Sequence, residues 1–387
     1  MPSTRPLGFG TRAVHSGEEP DFKATGDVAA PIHMSSTFAR RNAEKPTHGL
    51  EYSRTGNPTR EALEKRLASL ENARYALAFS SGMGAETTLL LTVLRKGDHI
   101  VAENDLYGGT VRLFETTLKK YGVRVSYVDS RDLVKVRTAL RHNPKVIWLE
   151  SPTNPLMHIC DIKAVSEMAA DAGTITVVDN TLASPYLQNP IDLGATAVIH
   201  STTKYIAGHS DVVGGAIMTS DEPLFEDIKF NQNALGAVPS PFDCFLVLRG
   251  SKTLHLRMKK HTENAVAVAE YLAKHPKFLA VSYPGLRNHP EYALGRRQMR
   301  MPGGMLSADL RGGFPAVRRF LHRLRVFSIA ESLGGVESLV EHPATMTHSS
   351  VPKRRRDSLG IGDGLVRFSV GIEETEDLLA DLKTALG

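Results

Sequence analysis

The stretch "TAVIHSTTKYIAGHSD", residues 196–211, joins a short apolar run to a lysine that follows three hydroxyl side chains, Ser201, Thr202 and Thr203. The apolar part is short, β-branched and followed by polar residues, so it reads as a buried strand. Lys204 then stands just past a strand end, with no carboxylate within five residues on either side. A lone lysine is ordinarily a solvated surface group. Its meaning depends on what else the chain brings to the same edge.

Similar runs recur on both sides of it: "RYALAFS" (74–80), "HIVAE" (99–103), "VRVSYVD" (123–129), "KVIWLE" (145–150), "ITVVDN" (175–180) and "GGAIMTS" (214–220). Helix-like segments separate most of them, an alternation that predicts an α/β fold with a mainly parallel seven-stranded sheet and helices on both faces. The runs at 196–201 and 214–220 lie too close for a helical crossover, and that pair is expected to be antiparallel. One helix start is especially legible, with Asn57 as N-cap, Pro58 at the first helical position and Leu63, Leu67 and Leu70 on one face. The residues before it, 1–55, read as an extended arm marked by Gly and Pro. Residues 56–250 then form the main domain. From 251 to 387 the rhythm changes to a long amphipathic helix, short strands and a terminal helix, a smaller C-terminal α+β domain.

Composition narrows the class. A chain of 387 residues accommodates two full cores, and 41% hydrophobic with 23% charged residues excludes disorder as the default. The formal charge of +5 is small for this length, although the pI is near 9.1. Acidic residues interleave with basic ones except at Lys353-Arg354-Arg355-Arg356, which reads as a solvated loop ahead of a nucleic-acid or membrane contact. Two cysteines, Cys160 and Cys244, fit a reducing compartment, and the absence of CxxC or HExxH spacing gives no metal site. No apolar run reaches membrane-spanning length and the N-terminus has no signal-peptide apolar region, so a cytoplasmic location is expected.

In open α/β sheets, ligands bind outside the carboxyl ends of the strands. Those ends carry Ser80-Ser81-Gly82-Met83-Gly84, Tyr107, Glu150 with Asn154, Asp179-Asn180, and Ser201 to Lys204. Each has an ordinary structural reading by itself: a tight turn, a loop, a helix cap, a solvated tip. Together at one sheet edge they read as a site. In "SSGMGAETT" a strand runs into a helix, and the N–H groups of such a helix start, with the hydroxyls of Ser201 and Thr203, suit a phosphate. No Lys-Ser/Thr follows, so it is not a Walker A loop. The loose GxGxxA that opens at Gly8 has no preceding strand, so it is not a dinucleotide fingerprint. A phosphorylated group that also needs an amine, a strand-end aspartate and an aromatic ring is pyridoxal 5'-phosphate: Lys204 for a Schiff base, Asp179 for the pyridine nitrogen, Tyr107 to stack on the ring. Ser201 to Lys204 also matches the S-x-x-K of serine acyl-enzymes, but their S-D-N and K-T-G elements do not occur.

These residues resemble the cysteine and methionine metabolism family of pyridoxal-phosphate enzymes, of fold type I. The resemblance runs in chain order through "YSRTGNPTR" (52–60), "SSGMGA", "DLYGGT" (105–110), "ESPTNP" (150–155), "VVDNT" (177–181), "STTKYIAGHSDVVGG" (201–215), "AESLGGVESL" (330–339) and "RFSVGIE" (367–373). It implies that Lys204 bonds the cofactor, Asp179 pairs with its ring nitrogen, Tyr107 stacks on it, and Gly82, Met83, Ser201 and Thr203 hold the phosphate. It further implies that Tyr52 and Arg54 reach the phosphate of a neighbouring subunit, with the arm at the interface of a homotetramer built from two active-site dimers. Arg367, with Ser332 and Asn154, resembles a clamp for the substrate α-carboxylate, which a guanidinium fork matches in bidentate fashion. Gly109 stands where methionine γ-lyases have Cys, and Glu331 and Leu333 stand where bacterial cystathionine β-lyases have aromatic residues. Glu331 would then meet the distal ammonium of cystathionine, or be a solvated acid.

The nearest resemblance is to cystathionine γ-lyases. It implies γ-elimination of cystathionine to cysteine, 2-oxobutyrate and ammonia, with hydrogen sulfide release from cysteine as a side activity. Cystathionine γ-synthase is the alternative. Two other classes also stay open, a nucleotide-dependent oxidoreductase and a basic nucleic-acid-binding protein.

Overall fold

The computed structural model describes residues 6–20, 25–349 and 351–387. All seven expected strands form, as β1 (Tyr75–Phe79), β2 (His99–Glu103), β3 (Arg124–Val128), β4 (Val146–Glu150), β5 (Ile175–Asp179), β6 (Ala197–His200) and β7 (Gly215–Thr219). They make one sheet in the order β1-β7-β6-β5-β4-β2-β3. Strand β7 runs antiparallel to both of its neighbours, as the short link after β6 requires, and every other pairing is parallel. Helices cover both faces, so the central strands are buried and mostly apolar up to their carboxyl ends: every residue of β4 is buried. Trp148 fills the interior of one face, edge-on to Phe114 at 5.6 Å between ring centroids.

The helix Pro58–Glu71 begins as its sequence dictates. The Asn57 side chain accepts the N–H groups of Thr59 and Arg60, and Leu63, Leu67 and Leu70 are buried. Arg66 lies on the same helix and is fully buried. It donates to the carbonyls of Val14 at 3.2 Å, Ser16 at 2.8 Å and Leu248 at 3.0 Å. It also pairs with buried Glu18, which Lys252 approaches at 3.0 Å.

After the long helix Leu254–Lys274 comes a second sheet, of β8 (Phe278–Ser282), β9 (Met305–Leu310), β10 (Ser328–Ile329), β11 (Leu339–Glu341) and β12 (Leu365–Ser369), in the order β10-β11-β12-β9-β8. The helices Leu254–Lys274, Gly313–Arg323 and Thr375–Leu386 close its core around Phe320, Phe327 and Phe368.

Two sequence expectations need correction. The arm is not wholly extended, because Phe9–His15 is a helix whose Phe9 and Ala13 are buried in the main core. The basic run is not a loop. Lys353–Leu359 is a helix ended by Gly360 in the left-handed conformation. Lys353 pairs with Asp357 one turn on at 3.1 Å, and the Arg355 guanidinium lies 3.9 Å from the Tyr127 ring centroid. That run is therefore partly engaged within the fold.

Candidate active site

The carboxyl ends of β1, β2, β4, β5 and β6 open onto a cavity of about 350 Å³. Eleven of the thirteen residues singled out from the sequence line it: Gly82, Met83, Tyr107, Asn154, Asp179, Ser201, Thr203, Lys204, Glu331, Ser332 and Arg367. Tyr52 and Arg54 are not in its wall. They lie together elsewhere on the arm, the Arg54 guanidinium 5.2 Å from the Tyr52 ring centroid and its Nε donating to Asn233 Oδ1 at 3.1 Å.

Lys204 sits in the tight turn after β6, fastened by Ala207 N–H to Thr202 carbonyl at 3.0 Å and Gly208 N–H to Lys204 carbonyl at 2.8 Å. Its ammonium donates to Ser332 Oγ at 2.7 Å. Burial, and behind it the Arg367 charge, lower its pKa to about 8. Lys204 is thus half-buried and readily deprotonated. It is not a solvated tip.

The helix Gly82–Val93 starts at the cavity floor. Ser81 Oγ accepts Gly84 N–H at 2.9 Å and the Ser81 carbonyl accepts Ala85 N–H at 3.0 Å, which leaves the N–H groups of Gly82 and Met83 beside the cavity as orphan donors of a helix start. A Cβ at Gly82 would lie 3.2 Å from Ser201 Cβ, a tight contact that the bare backbone avoids. The Thr203 hydroxyl gives its hydrogen to the Gly214 carbonyl at 3.2 Å and accepts Gly214 N–H at 2.9 Å. It ties the lysine loop to the start of β7.

Three buried carboxyl groups face the same space. Asp179, at the end of β5, accepts Thr181 N–H at 3.0 Å, and its pKa is raised chiefly by burial. Glu150 accepts Tyr107 N–H at 2.9 Å, and Glu86 accepts the Thr110 hydroxyl at 3.1 Å. Burial, then the neighbouring Asp179 charge, push both glutamates well above the usual carboxylate range. Burial also raises the Tyr107 phenol, so it remains protonated at neutral pH.

The opposite wall comes from the second sheet. Arg367 of β12 donates through Nη1 to Asn154 Oδ1 at 2.9 Å and through Nη2 to the Ser332 carbonyl at 2.7 Å, and Glu341 lies 2.9 Å from the same Nη1. Its Nε–H has no hydrogen-bond partner among the described residues. Ser332 has a φ of 87°, a left-handed conformation that costs a non-glycine residue about 1–3 kcal/mol. Glu331, beside it, is exposed at the cavity mouth.

These groups fit pyridoxal phosphate: a helix start with free N–H groups for the phosphate, an aspartate for the ring nitrogen, an aromatic side chain, and an amine of lowered pKa. Glu86, Glu341 and Thr347 were not read from the sequence, yet Glu86 and Thr347 line the cavity and Glu341 supports Arg367. A signal existed for Glu86, an acid that shares its helical face with Leu89 and Leu90, both fully buried.

Residues 10–387 match the family model described as Cys/Met metabolism PLP-dependent enzyme. The chain is 52% identical over 380 residues to a cystathionine γ-synthase of Mycobacterium tuberculosis, covering 98% of this chain and 97% of that protein. It is 48% identical to a cystathionine γ-lyase of Dictyostelium discoideum, with 98% and 97% covered. Among solved structures, a cystathionine γ-synthase of Xanthomonas oryzae pv. oryzae in complex with cystathionine superposes with a TM-score of 0.96 at 46% identity, covering 99% of this chain and 98% of that one.

Proposed function

As a member of the Cys/Met metabolism family of PLP-dependent enzymes, the chain uses pyridoxal phosphate, and we propose that it works at the γ-carbon of L-cystathionine, releasing cysteine, 2-oxobutyrate and ammonia. The observation that carries this reading is the presence of both Arg367 and Glu331 on the wall that holds Ser332, the partner of Lys204. Cystathionine has an amino-acid head at each end. A guanidinium for one carboxylate and a carboxylate for the distant ammonium suit it.

When bound, pyridoxal phosphate supplies an electrophilic carbon for an amine and a ring that stores the electron pair left by a departing proton. The chain supplies the rest. Gly82 and Met83 N–H groups and the Ser201 hydroxyl hold the phosphate, Thr203 anchors the lysine loop, and Asp179 keeps a positive charge on the ring nitrogen. Arg367 takes the α-carboxylate through its unpartnered Nε–H and one Nη2–H, while Asn154 and Glu341 fix its plane. With a pKa of about 8, about a tenth of the Lys204 amine is neutral at pH 7, and it removes the α-proton and, once it has released that proton, a β-proton, whose electron pair expels the γ-sulfur. Tyr107, protonated, gives a proton to the departing sulfur. A Cβ at Gly109 would overlap the Tyr107 ring, so the bare backbone there leaves room for this acid.

A second reading is γ-replacement, in which the thiol of cysteine adds at the same γ-carbon of an acylated homoserine. The name of the mycobacterial relative, at 52% identity, favours it. Purified enzyme assayed with cystathionine alone, and separately with O-succinylhomoserine plus cysteine, decides between them. Elimination is expected to be the faster reaction, and faster cystathionine synthesis overturns the order. Hydrogen sulfide release from cysteine is proposed as a slower use of the same site.

The position of Tyr52 and Arg54 outside their own cavity supports their service to a neighbour's phosphate, within a homotetramer of active-site dimers. Coexpressed Arg54→Ala and Lys204→Ala chains, each inactive alone, are then expected to recover part of the activity, because one interface of the mixed dimer holds both native residues. No recovery in verified mixed oligomers would place Arg54 at its own chain's site. Among the described residues, no helix is long and apolar enough to cross a membrane.

A further inference from the structure

Glu86 has no part in the cofactor and substrate roles above. It is the fifth residue of the helix Gly82–Val93, it is 3% exposed, and it lines the cavity with Asp179 and Glu150. Its Oε1 accepts the Thr110 hydroxyl at 3.1 Å. Its Oε2 is buried with no hydrogen-bond partner among the described residues. The titratable and charged groups around the same space are Asp179 at the end of β5, Glu150 at the end of β4, Tyr107 before the helix Gly108–Arg112, Lys204 after β6, and Glu331 and Arg367 on the opposite wall. None of the cations among them is a partner of Glu86, whose surroundings offer only the Thr110 hydroxyl and the Asp179 charge.

Carboxyl groups that share a low-dielectric site do not all ionise, and the one with better partners keeps the charge. Asp179 has the Thr181 N–H at 3.0 Å and the fields of His200 and Lys204. We propose that Glu86 is a neutral carboxylic acid in the holoenzyme, with its proton on Oε2 directed into the cavity. It is a positioning residue that keeps the negative charge on Asp179, opposite the pyridine nitrogen. The Thr110 hydroxyl sets the polarity, because a donor on Oε1 leaves Oε2 as the oxygen that carries hydrogen. The effect of burial on Glu86 acts in the same direction.

The sign of the linkage gives one readout. An acid neutral in the folded protein and ionised in the unfolded one contributes stability below the unfolded pKa of about 4.3, and that stability is lost as pH rises toward the folded value. Replacement by Gln removes this dependence.

Three measurements on holoenzyme test the proposal. The infrared difference between wild type and Glu86→Gln at pH 7 is expected to contain a protonated carboxylic C=O band that belongs to the wild type, and a carboxylate signature in its place overturns the proposal. Dissociation of pyridoxal phosphate, followed by absorbance, is expected to stay within about threefold in Glu86→Gln and to worsen about threefold to tenfold in Glu86→Ala, the range for one lost hydrogen bond. A larger change in Glu86→Gln, in either direction, means that a charge was removed and overturns it. Thermal midpoints between pH 5 and 9 are expected to fall less steeply in Glu86→Gln than in wild type, and parallel curves count against a neutral acid. If Glu86→Ala does not fold, the Gln variant carries all three readouts.

Discussion

The two walls of the cavity differ in origin. One is a row of strand ends on the seven-stranded sheet, where Asp179, Glu150 and the Lys204 turn are set by parallel pairing from β4 to β6. The other is built from β12 and the irregular segment before β11, where Ser332 holds a left-handed backbone and Glu331 reaches the mouth. The first wall is fixed by backbone pairing and holds Asp179 and Lys204, the groups proposed to meet the cofactor. The second depends on side-chain contacts, such as Arg367 with Glu341 and Asn154, and in the proposed function it holds the substrate by its α-carboxylate and its distal ammonium. In the proposed function, proton transfer belongs to the rigid wall and choice of substrate to the other.

The comparison breaks first at Lys204. Lys204→Ala is expected to lower 2-oxobutyrate release from cystathionine by at least about 10³-fold, since it removes the amine that serves as nucleophile and as base. Near-normal release would remove the sheet edge from the chemistry. Next comes Asp179→Ala, expected to lower kcat about 10²- to 10³-fold at saturating cofactor, the scale for one preorganised electrostatic partner. Part of the cofactor affinity is expected to survive through the phosphate contacts, and an unchanged kcat would refute the role. The smallest effect is at Glu331, which is exposed. Glu331→Ala is expected to lower kcat/KM for cystathionine about fivefold to tenfold, between a surface ion pair and a charged hydrogen bond. Hydrogen sulfide release from cysteine, which lacks the second amino-acid head, is expected to change much less. An equal fall for both substrates would show that the second wall supports architecture and not selection.

The rigid wall was also the more legible one. β-Branched runs bounded by turns mark each of its strands, and functional residues follow directly from where those runs stop, as Asp179 does after "ITVV". The second wall could be read only through resemblance. Its strands β10 and β11 have two and three residues, too few for any period to register. Glu341 is a charge inside β11 whose partner, Arg367, lies on another strand, a pairing that one-dimensional spacing does not encode. Glu86 was missed for a related reason. A carboxyl held neutral by burial is written in the sequence with the same letter as a solvated one.

Arg66 carries a consequence for where this chain can be cut. Its guanidinium is roofed by the carbonyls of Val14 and Ser16 and the carboxylate of Glu18, so the first turns of the arm act as a keystone over a charge that the helix Pro58–Glu71 cannot expose to water. A chain shortened past Glu18 leaves that charge without its counterpart, a loss of about 3–5 kcal/mol for a buried pair deprived of one member, comparable to much of the margin by which a domain stays folded. Trimming the front of the protein therefore unseats the helix that carries Arg66, far from any residue that touches substrate.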